Sequence, residues 1–254
     1  MMSGKNGRLA ERTVPGRFAV RFADHDEDKN RCYRLRYDIF AGELGANLQY
    51  GRHLDKDRFD DHCSHVMVID QQTSQLVATT RLLAAADAVH TGGFYSATEF
   101  DISSVLAMPG TFMEVGRTCI HKDYRKGAVL ALLWQGIAQI IADRGVNYLI
   151  GCASLPLSSG DHYLSSMMKV LRESHFSDEE HRVRPLVPLK VAGDVVPDNL
   201  IMPPLLKGYL RQGAVICGEP YWDAEFGVAD VFVLLKCDRI AARYVRHFLT
   251  GKSA

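Results

Sequence analysis

Apolar and polar residues alternate over Arg17–Ala23 (RFAVRFA), and a period of two places one face of a short strand on a core. Acidic residues crowd positions 24–28. Their caps and negative charge suit a helix N-terminus, so the pattern predicts a helix that runs to about Leu44 and is ended by Gly45. A polar stretch follows, GANLQYGRHLDKDRFDDHC. Beyond it, His65–Asp70 (HVMVID) and Leu76–Leu83 (LVATTRLL) flank the polar QQTSQ and predict a hairpin. Residues 84–110, with Gly92, Gly93 and Pro109, predict a long loop, and Thr111–Ile120 a further strand. From about Arg125 to Arg144, Leu130, Leu133, Trp134, Ile137, Ile140 and Ile141 recur on one helical face until Gly145 stops it. Val146–Ala153 reads as a buried strand and Tyr163–Glu173 as a helix. Residues 182–204 carry five prolines and predict an irregular excursion. A helix over Leu205–Gln212, strands at Ala214–Gly218 and Ala229–Lys236, and a helix at about 238–249 complete the pattern. This is an α/β layered domain with a mixed, mostly antiparallel sheet. Residues 1–16 read as a flexible tail and 17–254 as a single domain.

Composition narrows the function. The 254 residues are 47% hydrophobic and 24% charged, an ordinary globular balance. Thirty Lys and Arg offset thirty Asp and Glu, which speaks against bulk electrostatic binding of nucleic acid. The longest apolar run, Ala128–Ala142, is broken by Gln135 and Gln139 and is too short to span a bilayer. The basic N-terminus has no apolar run behind it, so no secretory leader is expected. Six cysteines include no C-x-x-C pair and read as reduced core thiols of a cytoplasmic protein. His62, Cys63 and His65 alternate at a strand entry and predict no metal site. Hydrolase, zincin, P-loop and dinucleotide motifs are missing from the sequence.

The chemistry concentrates in TFMEVGRTCIHKDYRKGAVLALLWQGIAQ. Here a strand feeds a long helix whose first turn is Arg125-Lys126-Gly127-Ala128. Free backbone N–H groups, small residues and two cations there suit a pyrophosphate or a phosphopantetheine arm; the same run also reads as an ordinary strand-to-helix turn. Glu114 and Arg117, three apart, point to opposite faces of a regular strand. Gly116 between them suggests a bulge that brings both to one face and splays the strand from its neighbour, opening a ligand slot. The alternative is a structural ion pair. Elsewhere, Arg36 and Phe40 share a helix face, Asp57 and Asp60 sit on a loop before a strand, and Arg81 ends another strand.

The ordered set RYDIF, DRFDDHC, TTRLL, GGFYSATEFD, MEVGRTCIHKDYRKGAVLALLWQGIA, YLIGCAS, PPLLKGYLRQGA and DVFVLLK resembles the ornithine N-acyltransferases of bacterial ornithine-lipid biosynthesis. The resemblance spans roughly residues 18–248. It implies the GCN5-related N-acyltransferase (GNAT) fold, with helices flanking the sheet and a splayed strand pair. The chain is also similar to acyl-homoserine-lactone synthases, whose motif residues correspond to Arg36, Phe40, Asp57, Asp60, Arg81, Glu114 and Arg117. Those synthases carry a tryptophan soon after the motif phenylalanine. Here the only tryptophans are Trp134 and Trp222, which favours the lipid enzyme.

The resemblance implies transfer of a 3-hydroxyacyl group from acyl carrier protein to the α-amine of ornithine, giving lyso-ornithine lipid. It implies no permanently bound cofactor; the phosphopantetheine thioester is a cosubstrate. Glu114 (base or amine positioning) and Arg117 are the expected catalytic pair. Arg36, Phe40, Asp57, Asp60 and Arg81 are expected to bind substrate, and Arg125, Lys126, Gly127 and Ala128 the carrier arm. Other readings are a lactone synthase, another long-chain N-acyl amino acid synthase, an acetyl-CoA transferase, and a non-catalytic carrier-binding module. The basic, apolar pattern of 239–249 permits either core packing or transient docking on the inner membrane surface.

Overall fold

The structure, a computed structural model, describes residues 16–48, 53–125, 128–191, 200–238 and 240. The predicted tail and nearly all of the predicted last helix, with its membrane-contact face, lie outside the described residues.

Chain order begins with β1 (Phe18–Phe22), α1 (Asp26–Tyr37), β2 (Ser64–Asp70) and β3 (Gln75–Ala84). Next come α2 (Ala85–Ala88), β4 (Phe100–Asp101), α3 (Ser103–Leu106), β5 (Phe112–Ile120) and α4 (Ala128–Arg144). The rest are β6 (Tyr148–Pro156), α5 (Asp161–Ser174), β7 (Arg184–Pro185), α6 (Pro204–Arg211), β8 (Val215–Ile216), β9 (Tyr221–Asp223) and β10 (Val228–Lys236).

The first helix departs from expectation twice. Its N-cap is His25, with no side-chain cap, so Asp26, Glu27 and Asp28 act through charge in the first turn. It also changes pitch: after Tyr37 the chain continues as a π-helix over Asp38–Glu43, and Gly45 then takes a left-handed φ of 76°. The predicted long loop at 84–110 is built instead of short pieces. α2 and a 3₁₀ turn lead to a second 3₁₀ turn over Tyr95–Thr98, then β4 and α3. Short pieces with polar links carry no periodicity to read, which is why the sequence pattern misses them.

The main sheet has the order β1-β2-β3-β5-β6-β10-β8, with β9 paired to β10, while β4 and β7 form a second small sheet. All main-sheet neighbours are antiparallel except β5 and β6. One face packs Val66, Val68, Met113, Val115 and Leu149 on α4, α5 and α6 through Leu133, Ile137, Met167 and Leu206. The opposite face is covered by α1, through Cys32, Leu35 and Ile39 on Met67 and Cys119. The 85–106 segment covers the rest of that face with Phe94, Phe100 and Val105. No helix among the described residues is long and apolar enough to cross a membrane.

The parallel pair positions the site. β5 and β6 each run nine residues, yet they pair only at Phe112, Met113 and Glu114 against Tyr148, Leu149 and Ile150. Beyond Glu114 they part, as the sequence predicts. At the fork a Cβ on Gly151 would stand 2.4 Å from the Val115 carbonyl oxygen, a contact that backbone on both sides prevents from relaxing. Only glycine lets the strands approach this closely before they diverge. Gly151→Ala is expected to lower stability by ~1–3 kcal/mol, the usual cost of overpacking, measured by urea unfolding. An unchanged midpoint would show that the fork does not depend on this approach.

Candidate active site

Register shows how β5 turns its side chains. Opposite it, β3 advances two residues from Thr79 to Arg81 while β5 advances three, from Cys119 to Gly116. The extra residue is a bulge, as expected, but the left-handed position belongs to Arg117 itself, at φ 49°, and not to Gly116. A non-glycine residue there costs ~1–3 kcal/mol and persists only where its surroundings fix it.

Those surroundings are buried charge. The Arg36 guanidinium, 1% exposed, donates from Nε to Asp55 (2.8 Å) and from Nη1 and Nη2 to the two oxygens of Asp60 (2.6 and 3.1 Å). Arg81 Nη1 bridges Asp57 (2.6 Å) and Asp60 (3.1 Å). Arg117 completes the set, with Nε 3.4 Å from Asp55 and Nη2 3.5 Å from Asp57. Its guanidinium also lies over the rings of Tyr95 (4.9 Å) and Phe226 (4.5 Å). Burial pushes the Asp60 carboxyl up, but Arg36 and Arg81 outweigh it and hold the group well below the usual carboxylate range. Burial pushes His65, beside Asp60, down to about 4, so it stands neutral against the cations.

Glu114 reaches the same place by another route. Its Oε2 accepts from the Tyr95 backbone N–H (2.7 Å), and Oε1 from the Ser96 N–H (2.7 Å) and hydroxyl. Burial raises its proton affinity above the usual carboxylate level, and these bonds pull the other way. Glu114 and Arg117 therefore converge on Tyr95 and not on each other; the ion partners of Arg117 are Asp55 and Asp57. Phe40 stands apart from the charges, edge-on to Phe226 at 5.6 Å.

The structure thus brings Arg36, Asp57, Asp60, Arg81, Glu114 and Arg117 together. The expected anion-binding turn is only partly described: Lys126 and Gly127 lie outside the described residues, and Ala128 opens α4. Arg125 is already held, by Glu43 (2.5 Å) and by the Ile120 carbonyl (3.1 Å). The sequence reading overlooked Asp55, which joins Arg36 to Arg117. It also overlooked Glu99, Asp223 and Asp230, three buried carboxylates whose oxygens lie within 4.8 Å of one another. Their signal was there to find: Asp230 interrupts the otherwise apolar strand VADVFVLLK. Burial raises Glu99 to about 8, with the charge of Asp230 adding to it, and burial likewise raises Asp230.

A forked parallel pair in a mixed sheet, with a charged wall at the fork, defines a GNAT-type acyltransferase, and the GNAT acetyltransferase domain model matches residues 35–135. The fold is shared with a CoA-dependent acyl-homoserine lactone synthase (TM-score 0.55, 13% identity, covering 91% of this chain and 85% of that one). It is also shared with an N-acyl amino acid synthase from uncultured soil microbes (TM-score 0.52, 9% identity, 87% of this chain and 92% of that one). Curated relatives are nearer. The L-ornithine N(alpha)-acyltransferase of Agrobacterium fabrum is 33% identical over 92% of this chain and 85% of its own length. That of Brucella abortus is 32% identical over 92% and 89%. The chain belongs to the L-ornithine N(alpha)-acyltransferase family.

Asp60→Asn leaves Arg36 and Arg81 without their shared carboxylate, and breaking a buried pair in this way costs ~3–5 kcal/mol. A carboxylate held below its unfolded value of about 3.9 stabilises the protein above that pH and loses the contribution as pH falls. The variant is therefore expected to unfold at much lower urea than the native protein at pH 7, with the difference shrinking toward pH 2. A difference that does not depend on pH would assign the loss to packing instead.

Proposed function

We propose that this protein transfers a 3-hydroxyacyl group from acyl carrier protein to the α-amine of L-ornithine, releasing lyso-ornithine lipid. Four relatives named L-ornithine N(alpha)-acyltransferase support the acceptor. The observation that carries the reading is the fork between β5 and β6 with Arg117 held in a left-handed bulge beside it.

The thioester lies in the fork, where N–H groups of the diverging strand face the carbonyl oxygen as it gains charge. The neutral α-amine attacks the carbonyl carbon, the C–S bond breaks, the carrier thiol leaves with a proton and the amide remains. An α-amine titrates near 8, so its proton leaves through water before attack. Arg117 meets the amino-acid carboxylate, since its contacts to Asp55 (3.4 Å) and Asp57 (3.5 Å) are long and its Nε makes no hydrogen bond. Arg36, Arg81, Asp57 and Asp60 hold Arg117 in place, and Phe40, through Phe226, backs the same wall. Both Glu114 oxygens already hold the 95–98 turn, so in this reading Glu114 positions that turn instead of taking the proton or holding the amine, the two expected roles.

Exposed Lys122, with the sequence Arg125-Lys126-Gly127-Ala128 that precedes and opens α4, receives the phosphopantetheine arm and favours an acidic carrier. The product has one acyl chain and a zwitterionic head, so the enzyme works in the cytoplasm and touches the inner membrane surface transiently.

Purified protein given 3-hydroxyacyl carrier protein and a panel of amino acids is expected to yield Nα-acyl-ornithine by mass spectrometry. Turnover should be several-fold better than with the coenzyme A thioester at low salt, and the gap should narrow as salt rises. Product on homoserine-type acceptors alone, or equal efficiency with both donors, contradicts this reading. Glu114→Gln is expected to lower kcat by ~10²-fold or more while leaving the acid limb of the pH–rate profile in place. Loss of that limb would make Glu114 the base.

A further inference from the structure

Buried charge is balanced in one group of residues near the fork and not in the group next to it. Arg36, Arg81 and Arg117 are matched by Asp55, Asp57 and Asp60. Beside Arg117 stand Glu99 (3% exposed), Asp223 (6%) and Asp230 (4%), with no ion-pair partner among the described residues. Asp223 Oδ1 accepts from the N–H groups of Glu225 (2.9 Å) and Phe226 (3.0 Å). Both oxygens of Glu99 and Oδ1 of Asp230 are buried without a well-formed hydrogen bond, with Tyr95 and Cys152 beside Glu99 and Ser154 beside Asp230. The cluster borders the open part of the slot. Asp230 lies opposite Ser154 on β6, four residues past Ile150, the last β6 residue paired with β5. Tyr95 and Cys152 flank Glu99, and Arg117 is the cation that acts on Asp230.

Three buried carboxylates with unused oxygens are costly unless protons or a cation join them. A divalent ion of the calcium kind takes six or more oxygens, and one oxygen here is committed to backbone. An ammonium carries three donors, one for each carboxylate. A second feature is Arg117, the guanidinium that acts on Asp230: its Nε makes no hydrogen bond and meets Asp55 only at 3.4 Å, which leaves it able to take an acceptor's carboxylate. A cation-binding cluster and an anion-binding guanidinium side by side, bridged by Tyr95 and Phe226, match an amino acid with a second amine.

We propose that Glu99, Asp223 and Asp230 receive the side-chain ammonium of the acceptor amino acid while Arg117 receives its carboxylate, so that this cluster selects ornithine. The proposal rests on the acyl-transfer reading above and names the groups that choose its substrate. They are specificity residues; none takes part in bond making.

The test compares ornithine with norvaline, which keeps the α-amine and carbon chain and lacks only the terminal amine. The ratio of their kcat/KM values is measured for the native enzyme, Glu99→Gln and Asp230→Asn, with acyl carrier protein as donor. Each variant is expected to lower the ratio by ~10-fold or more, the worth of a charge-assisted hydrogen bond, mostly through KM for ornithine. Calorimetry on the native protein, which needs no variant to fold, is expected to show ornithine binding more tightly than norvaline. A native enzyme that prefers ornithine by a ratio both variants leave intact overturns this assignment and leaves the acyl-transfer reading standing. Equal native binding of the two amino acids overturns it as well. Loss of ornithine turnover on EDTA treatment, restored by Mn²⁺ in the native enzyme and not in Asp230→Asn, makes the cluster a metal site and also overturns it. A protein that acylates no amino acid at all sinks both readings.

Discussion

Three guanidiniums buried against three aspartates are the constraint on which the rest depends. Arg36 comes from α1, the aspartates from the 55–60 loop, Arg81 from β3 and Arg117 from the β5 bulge. No member can leave without stranding another charge in a dry interior. The network therefore ties four separate pieces of chain to one geometry. It also supports the left-handed backbone at Arg117, which local sterics alone oppose. Strain there is useful, because it turns Arg117 to the face where Glu114 fixes the Tyr95–Thr98 turn.

The fork solves a second problem. Two parallel strands in register leave no room for a ligand between them, and a wide gap would leave the core open. Gly151 lets β5 and β6 touch through the Val115 carbonyl, and the strands then separate over their outer halves. One face of the sheet is covered by the core that α4, α5 and α6 build, with Leu133, Met167 and Leu206 in it. The other face keeps its polar groups: a balanced charge network and, beside it, an unbalanced acidic cluster. That asymmetry suits a substrate with opposite charges at its two ends.

Much of this was legible in the sequence, and the failures have physical causes. Strands β2, β3, β5, β6 and β10 and helices α4, α5 and α6 show because apolar periodicity is strong where an element covers a core. Glycine in MEVGRT foretold a bulge, but only the charges around Arg117 decide which residue bears the left-handed φ. The 85–106 segment has no period, so it read as loop although it supplies the turn that Glu114 holds. Arg36, Asp57, Asp60, Arg81, Glu114 and Arg117 were found through a family pattern. Asp55, Glu99 and Asp223 were missed because a carboxylate in a polar stretch looks the same in sequence whether solvated or buried. Asp230 alone left a trace, as an acid inside an apolar strand.

The central claim is that the charge network acts on catalysis through the placement of Arg117. A double-mutant cycle on kcat/KM for ornithine, using Asp57→Asn and Arg117→Lys well below their unfolding temperatures, tests it most directly. Asp57 touches both Arg81 and Arg117. If it works by placing Arg117, the double variant will be little worse than Arg117→Lys alone, so the two losses will not add. Losses that add in full would mean that the two residues act separately and that the network does not set the catalytic geometry.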